Sequence, residues 1–211
     1  MITGKYYEKN DGYKYVLNTL KEQFGEGITM SIVEEAVSKC NALCKEYADL
    51  PEKEKAHTDQ MIFLRSVLYM QMIRHMPEEQ AIDLLTEAVR IGVEPDRKRL
   101  RRLTKAPFMC SLFLRVFSKM ISTLFNEEAG FQTKLYEANN RRLRVDVLQC
   151  PYHKYCTLLG CKELTATFCY SDDCVYGGLT GIQYHRNGTI GRGAEQCDFS
   201  RKHCNIRRDK R

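Results

Sequence analysis

The sequence predicts an α+β protein, in which a helical N-terminal half packs on a small antiparallel sheet with short helices in the C-terminal half. Apolar residues recur at helical spacing along the first part of the chain, as far as Phe125. After Gly130 the period changes to two, which is typical of strands, and glycines then divide the last part into short segments. We expect a helical region at residues 1–106 and an α+β cysteine-rich region at residues 107–211, which together could form one compact domain.

The length and composition are those of a globular protein, with 211 residues of which 43% are hydrophobic and 28% are charged. The opening MITGKYYEKN lacks the apolar stretch of a secretory signal, and no uncharged apolar run approaches the roughly 18 residues that a membrane helix needs. We therefore expect a cytoplasmic protein without a membrane partner. In that compartment cysteines are usually free, catalytic or metal-bound, and not paired in disulfides.

The N-terminal half begins with the signals of two helices. The first spans residues 11–25 and is expected to end at Gly25. The second is expected to begin at Ser31, because the side chains of Ser31 and Glu34 can each satisfy a free backbone N–H at a helix start.

Two further helices are expected where a proline precedes glutamates, which are favoured in a first turn. The third helix starts at Pro51 and could run to Met76, with His57 expected on its surface. The fourth starts at Pro77 and is expected to end at Gly92, since glycine commonly follows the last turn of a helix.

A basic run at residues 97–105 is the local feature that could suggest nucleic acid, since it holds six basic residues and no acid. No aromatic residue is interleaved and no nucleic-acid motif is present, so the run favours a solvated linker or helix face. Nucleic acid is therefore not an expected partner.

Pro107 opens another helix, with apolar pairs every four residues from Phe108 to Phe125. Such a broad apolar stripe, with Arg115 and Lys119 opposite, is typical of a core helix. The same stripe could instead pack against a second copy of the chain, so a homodimer is an alternative interpretation.

An antiparallel hairpin is predicted from the alternating segments 131–137 and 142–149, joined around residues 139–140. The second strand would place Cys150 at its end, where Pro151 stops the ladder because it has no N–H to donate. Two short helices and two more strands are expected after it, at residues 152–160, 162–172, 181–186 and 194–199.

Seven of the ten cysteines lie in the last third of the chain, which is where we expect the chemistry. No pair has the CxxC spacing, so the pattern excludes a zinc ribbon, a thioredoxin motif and a ferredoxin cluster. The seven are Cys150, Cys156, Cys161, Cys169, Cys174, Cys197 and Cys204.

Two kinds of site remain open for these cysteines. The first is a metal site for zinc or iron, with Cys150, Cys169 and Cys197 as ligands together with a carboxylate or His153. The second is a reactive thiol, because a thiolate forms near neutral pH when a helix N-terminus, a cation or a base lowers its pKa. The thiols with a suitable neighbour are Cys150 with His153, Cys169 with Asp173, and Cys197 with Asp198.

Short motifs follow one another in this half of the chain: Cys150-Pro151-Tyr152, Leu159-Gly160 before Glu163-Leu164, Phe168-Cys169 before Asp173, Arg186 before Thr189, and Gly193 before Cys197-Asp198-Phe199. In this order they resemble the L-2-amino-thiazoline-4-carboxylic acid hydrolase family, over about residues 55–200. The stretch MPEEQAIDLL at residues 76–85 is also similar to the N-terminal half of that family.

The resemblance implies hydrolytic opening of the 2-aminothiazoline ring of a small carboxylate substrate, which gives N-carbamoyl-cysteine on a route to cysteine. Water must add to the ring carbon between nitrogen and sulfur, so a base, an acid and an anchor for the carboxylate are needed. The resemblance implies Asp173 or Asp198 as the base and Arg186 as the anchor, and it leaves Cys169 open as a covalent nucleophile. The residues so assigned to the site are Cys150, Cys169, Asp173, Cys197 and Asp198, with Arg186 and His153 for the substrate.

A function of a different class is also open. A non-catalytic thiol- or metal-binding module could sense a small molecule or a redox state and signal through a partner. Turnover separates the two hypotheses, because a binding module changes only its affinity or stability when a site residue is replaced.

Overall fold

A computed structural model describes residues 3–203 of the chain. It confirms the predicted class, with a helical N-terminal half and a small antiparallel sheet accompanied by short helices in the C-terminal half. Cys204 lies outside the described residues. The helices are α1 (Lys5–Lys9), α2 (Asp11–Glu46), α3 (Glu52–His57), α4 (Phe63–Met72), α5 (Glu78–Leu103), α6 (Pro107–Leu124), α7 (Pro151–Leu158) and α8 (Thr165–Tyr176). The strands are β1 (Gln132–Ala138), β2 (Arg142–Gln149), β3 (Ile182–His185) and β4 (Cys197–His203).

The first two predicted helices form one kinked helix, α2. Gly25 interrupts it with a φ of 81°, a backbone conformation that glycine adopts without steric cost. The helix resumes directly after the kink, so the expected start at Ser31 is wrong and Ser31 lies inside the helix. The side chain that caps the start of α2 is Asn10, whose Oδ1 accepts hydrogen bonds from the backbone N–H groups of Gly12 at 2.9 Å and Tyr13 at 3.3 Å.

Helices α2 and α5 cross closely at Gly12. A Cβ atom on residue 12 would lie 2.0 Å from the carbonyl oxygen of Ala88, so the crossing leaves no room for a larger residue. Replacing Gly12 with alanine is expected to lower the free energy of unfolding by about 3 kcal/mol, because the clash is with backbone and the helices must move apart.

The matched control for this prediction is Gly27→Ala in the same helix, since a Cβ there would meet no atom within 4 Å. This control is expected to leave the free energy of unfolding unchanged or to raise it by about 0.5 kcal/mol, because alanine favours a helix more than glycine does. Urea unfolding of both variants measures the difference. Equal stabilities would contradict a close helix crossing at Gly12.

The fourth predicted helix begins as expected but does not end at Gly92. Helix α5 continues through Gly92 and Pro95 to Leu103. Gly92 instead makes room for the α2 cap, since a Cβ on residue 92 would lie 3.0 Å from Asn10 Oδ1. The last turns of α5 carry most of the basic run, which is therefore part of a helix, one of the two forms expected for it.

Only part of the apolar stripe of α6 is buried. Leu114 and Phe117 pack against the sheet, as expected for a core helix, whereas Phe108 is 73% exposed and Val116 is 58% exposed. Within residues 3–203, α6 is also the one helix whose length and mean hydropathy of 1.2 would let it cross a membrane, which by itself is weak evidence. The absence of a membrane partner and the homodimer both stay predictions.

The strands pair antiparallel in the order β1-β2-β4-β3. Strand β4 begins later than predicted and extends past Phe199 to His203, and it pairs with both β2 and β3. Because side chains alternate along a strand, Cys197, Phe199 and Arg201 face the same side of the sheet. Helices α6 and α8 cover that side, where Phe199 packs with residues of both.

Elements of both predicted regions share one hydrophobic cluster. Phe63 and Leu68 of α4 pack there with Tyr155 of α7 and Phe168 of α8. Helix α8 also packs against α5. A division of the chain at residue 106 stays a prediction. Because α8 is packed between these elements, its rotation about the helix axis is fixed.

Candidate functional site

A cavity of about 510 Å³ lies between α5, α6, α8 and the inner face of β2 and β4. Its walls are mostly apolar and aromatic, and a few charged groups and thiols reach it. This make-up and this volume are typical of a site for a small molecule.

One face of α8 carries reactive groups into the cavity. Cys169, Asp172 and Tyr176 are spaced three and four residues apart in the helix, and all three line the cavity. Cys197 reaches it from β4 and hydrogen-bonds to Cys169. The structure thus brings together two of the predicted cysteines from elements that are distant in sequence.

The pKa of the Cys169 thiol is lowered to about 6. The hydrogen bond from Cys197 is the main cause and outweighs burial, and the Thr189 hydroxyl and the charge of Arg186 act in the same direction. Thr189 is fully buried and lies close enough to Cys169 for its hydroxyl to lower the pKa of that thiol. The same thiol pair raises the pKa of Cys197, so near neutral pH Cys169 carries the negative charge and Cys197 the proton.

Gly191 closes one side of the Cys169 sulfur. A Cβ on residue 191 would lie 2.9 Å from Cys169 Sγ and 2.8 Å from Thr165 Cγ2, so the short helical turn Ile190–Arg192 packs directly on the thiol. The open side of the sulfur is the one that faces the cavity.

Asp172 is the α8 carboxylate that faces the cavity. Its side chain is 37% exposed and lines the cavity. Burial raises the pKa of Asp172 to about 6, against the opposing charges of Arg201 and Arg186. A carboxyl that titrates so near neutrality can take up and release a proton during a reaction.

Asp173, which the resemblance gave as a possible base, does not line the cavity. Its carboxylate pairs with Arg186 at 2.5 Å and Arg192 at 2.9 Å, and it accepts a hydrogen bond from the Tyr184 hydroxyl at 3.2 Å. These contacts occupy both oxygens. Asp173 therefore ties α8 to the segment after it, and the role of base gains no support from its position.

Arg186, the expected anchor for a substrate carboxylate, is already bound within the protein. Its side chain is 3% exposed, it donates to the backbone carbonyl of Cys169 at 2.9 Å, and it lies 3.5 Å from Asp172 Oδ2. With Asp173 as its third partner, its guanidinium has few donors left for a ligand. Its contribution to the site is to stabilise the Cys169 thiolate.

A second buried arginine, Arg201, was missed because it lies beyond the predicted end of the last strand. It lines the cavity and is 2% exposed. Four aromatic rings surround its guanidinium, at 4.0 Å for Phe117, 4.1 Å for Tyr176, 5.4 Å for Tyr184 and 5.8 Å for Phe199. The continued alternation of residues 197, 199 and 201 is the sequence signal that could have found it.

The family of the chain follows from its match to a known family model. Residues 55–200 match the model described as L-2-amino-thiazoline-4-carboxylic acid hydrolase, which is more than half of the chain. The chain belongs to this family. No curated protein and no solved structure matches it. The family description names a hydrolase of a small molecule, and the matched range contains Cys169, Asp172 and Cys197.

Asp198 is another residue that the resemblance to the aminothiazoline hydrolase family assigned to the site, and the structure does not bring it to the cavity. Its Oδ1 accepts hydrogen bonds from the backbone N–H groups of Asn187 and Gly188, both at 2.8 Å, and its Oδ2 accepts one from the Asn187 side chain at 2.6 Å. Burial opposes its ionisation, but these hydrogen bonds prevail and lower its pKa. Asp198 therefore holds the loop after β3.

Cys150 lies at the start of α7, as predicted, and lines the cavity. Burial raises the pKa of Cys150 to about 12, although the backbone N–H groups of His153 and Tyr152 hydrogen-bond to its sulfur. Cys150 is thus a protonated thiol near neutral pH. His153 contributes through its backbone, since its side chain does not line the cavity.

The metal prediction gains no support from the position of these thiols. Among residues 3–203, no group of three or more His, Cys, Asp or Glu side chains is arranged to hold a metal ion. Zinc or iron at Cys150, Cys169 and Cys197 therefore stays a prediction.

Sequence reasoning also missed two cavity residues from the helical half. His57, expected on the surface, lines the cavity, with Nδ1 2.9 Å from the Tyr152 hydroxyl and Nε2 3.2 Å from the Leu124 carbonyl oxygen. Burial lowers its pKa, so the ring is neutral near pH 7.

Arg65 is the second of these cavity residues, and it lies 4.0 Å over the Phe168 ring at the cavity wall. A π-helical turn at Thr58–Ile62 follows His57 directly, and such turns often occur at functional sites, but the sequence pattern does not reveal it.

Proposed function

We propose that this chain is a hydrolase that opens the 2-aminothiazoline ring of a small carboxylate, with Cys169 as the nucleophile and Asp172 as the group that binds the amidine and activates water. Membership of the family supports the reaction class. The observation that carries the proposal is the pair formed by a thiol of lowered pKa and a carboxyl of raised pKa, three residues apart in α8, on the wall of one cavity. Action in the cytoplasm, on a route to cysteine, is part of the proposal.

The first half of the reaction transfers the ring carbon to Cys169. A 2-aminothiazoline is a cyclic isothiourea, and its amidine carries a proton and a positive charge near neutral pH. The Asp172 carboxylate pairs with the amidinium N–H groups and presents the ring carbon to the thiolate. Cys169 forms a bond to this carbon as the C–N π electrons move to nitrogen. The ring C–S bond then breaks, and the ring sulfur leaves as a thiol with a proton from the amidinium.

The second half of the reaction regenerates the free enzyme. Asp172 takes a proton from water while the water oxygen adds to the carbon, the C=N π electrons move to nitrogen, and Asp172 passes the proton to that nitrogen. The bond to Cys169 then breaks, Cys169 leaves as the thiolate, the added hydroxyl loses its proton as the carbonyl forms, and N-carbamoyl-cysteine is released. Each turnover consumes one water and releases one proton, because a cationic ring becomes a neutral urea and a neutral thiol. Cys197, Thr189 and Arg186 lower the pKa of Cys169, so they also make its thiolate a good leaving group.

The direct test is incubation of the purified protein with 2-amino-2-thiazoline-4-carboxylate. We expect N-carbamoyl-cysteine by NMR, one atom of ¹⁸O in its carbamoyl group when the solvent is labelled water, and a covalent adduct on Cys169 by mass spectrometry of the acid-quenched protein. A rate of product formation equal to that without protein would contradict the proposal.

A thiol-based sensor is the second candidate, and the direct hydrogen bond between Cys169 and Cys197 favours it. Metal content and thiol reactivity of protein purified without oxygen distinguish the two functions. One thiol that reacts far faster than the others, together with turnover, supports the hydrolase. A bound zinc or iron with unreactive cysteines and no turnover supports the binding module.

A further inference from the structure

We propose that Arg201 is the group that binds the carboxylate of the ligand in the cavity. The proposal rests on the proposed function for the identity of the ligand. The anion site itself rests on the surroundings of Arg201.

The guanidinium of Arg201 is buried without a direct ion-pair partner in the described part of the chain. The residue is 2% exposed, its Nε has no hydrogen-bond partner, and its guanidinium forms no ion pair with a carboxylate of the described residues. A buried arginine is normally paired, since an unpaired charge in a low-dielectric interior is costly. The partner that is missing from the chain is therefore expected to come from a ligand.

The aromatic rings around Arg201 stabilise its positive charge but leave its hydrogen-bond donors free. The rings of Phe117 and Tyr176 lie 4.0 and 4.1 Å from the guanidinium carbon of Arg201, and no described side chain accepts a hydrogen bond from its Nε. The N–H groups lie in the guanidinium plane, where a carboxylate binds two of them in parallel. A carboxylate that enters the cavity can therefore accept two parallel hydrogen bonds from the guanidinium of Arg201.

The other two arginines at the cavity are less suited to this role. Arg186 already binds Asp173, the Cys169 carbonyl oxygen and, more weakly, Asp172. Arg65 donates to the Thr167 hydroxyl at 3.3 Å and stacks on a ring. Of the three, Arg201 alone has a side chain that forms no hydrogen bond or ion pair with the described part of the chain.

Asp172 and Arg201 give the cavity one negative and one positive group that are not paired with each other. Arg201 is near enough for its charge to oppose the rise in the pKa of Asp172, yet the two form no ion pair. A small zwitterion with a cationic amidine and a carboxylate on the same ring matches this arrangement. The two groups therefore fix both ends of the ring relative to Cys169.

The test is calorimetric binding in a Cys169→Ala background, where the ligand is not consumed. The probes are 2-amino-2-thiazoline-4-carboxylate and 2-amino-2-thiazoline, which lacks the carboxylate. With Arg201 present, loss of the carboxylate is expected to weaken binding about 30-fold. Arg201→Met is expected to weaken binding of the first probe by the same factor and to leave the second unchanged, and Arg201→Lys to give an intermediate loss because it keeps the charge without the fork.

Three outcomes would overturn the proposal. Equal losses of affinity for both probes in Arg201→Met would show that Arg201 has a structural role. If the preference for the carboxylate survives in Arg201→Met but is lost in Arg65→Met, the carboxylate anchor is Arg65. If Arg201→Met does not fold by circular dichroism, the Arg201→Lys comparison decides. Selective binding that depends on Arg201 without turnover by the native protein would contradict the proposed function and leave the anion site standing. Turnover by the native protein, together with a carboxylate preference that is unchanged in the Arg201 variants, would contradict the anion site and leave the proposed function standing.

Discussion

Replacing Cys169 with alanine is expected to lower kcat for ring opening by about 1,000-fold or more, the scale seen when a nucleophile is removed from an enzyme. Among the described cysteines, Cys161 also has a lowered pKa, but it does not line the cavity. The other two cavity thiols, Cys150 and Cys197, have raised pKa values. No neighbour can therefore replace the thiolate, and the covalent adduct should disappear with the activity.

Cys174→Ala is the matched control for this prediction. Cys174 lies in the same helix, burial raises its pKa, and it does not line the cavity. Its replacement is expected to leave kcat within about twofold, as is usual for substitutions outside a site. Equal losses in the two variants, measured by NMR of the product, would show that α8 tolerates neither change and would remove the argument for Cys169.

The logarithm of the rate is expected to rise with a slope of about two as the pH increases towards about 6, and to level off above about 7, because both groups must be ionised. The pKa of Cys169 is lowered to about 6 and that of Asp172 is raised to about 6, so each becomes charged over the same range. In Asp172→Asn one group remains, and the slope should fall to about one. The plateau rate should drop about 100-fold with the loss of the base.

In Asp172→Asn, the one titration left in the pH dependence of the rate is that of Cys169, and it should also move to lower pH. The charge of Asp172 raises the pKa of Cys169, so its removal lets the thiolate form more easily. Asp83→Asn, which removes an exposed carboxylate of α5, is the control and should leave the profile unchanged. A slope of about one in the native protein, or an unchanged slope in Asp172→Asn, would contradict the joint role of the two groups.

The choice between Asp172 and Asp173 illustrates what a sequence can predict about this site. Residues three and four positions after Cys169 both lie near its face of a helix, so spacing alone admits either carboxylate. Packing of α8 against α5 and the sheet sets the rotation of the helix, and it turns Asp172 to the cavity. Those contacts are long-range, and local periodicity does not contain them.

The predicted end of the last strand shows a second limit. The strand was predicted to end at Phe199, and the next residues include Arg201 and Lys202, whose side-chain types are seldom buried. The structure instead buries Arg201 opposite Leu143 of β2. The class of the fold, the β1–β2 hairpin and the place of Cys150 at a strand end were predictable, because periods of two and four and proline positions are local signals.

The three groups that stabilise the Cys169 thiolate, Cys197, Thr189 and Arg186, all follow it in the chain. During synthesis Cys169 therefore leaves the ribosome before any of them, and at that stage it has the pKa of an ordinary cysteine. The thiol becomes strongly nucleophilic only when β4 has been made and has paired with β2. A chain that ends before β4 is therefore expected to have the thiol pKa of an ordinary cysteine at Cys169, and hence a slower reaction with alkylating agents near neutral pH.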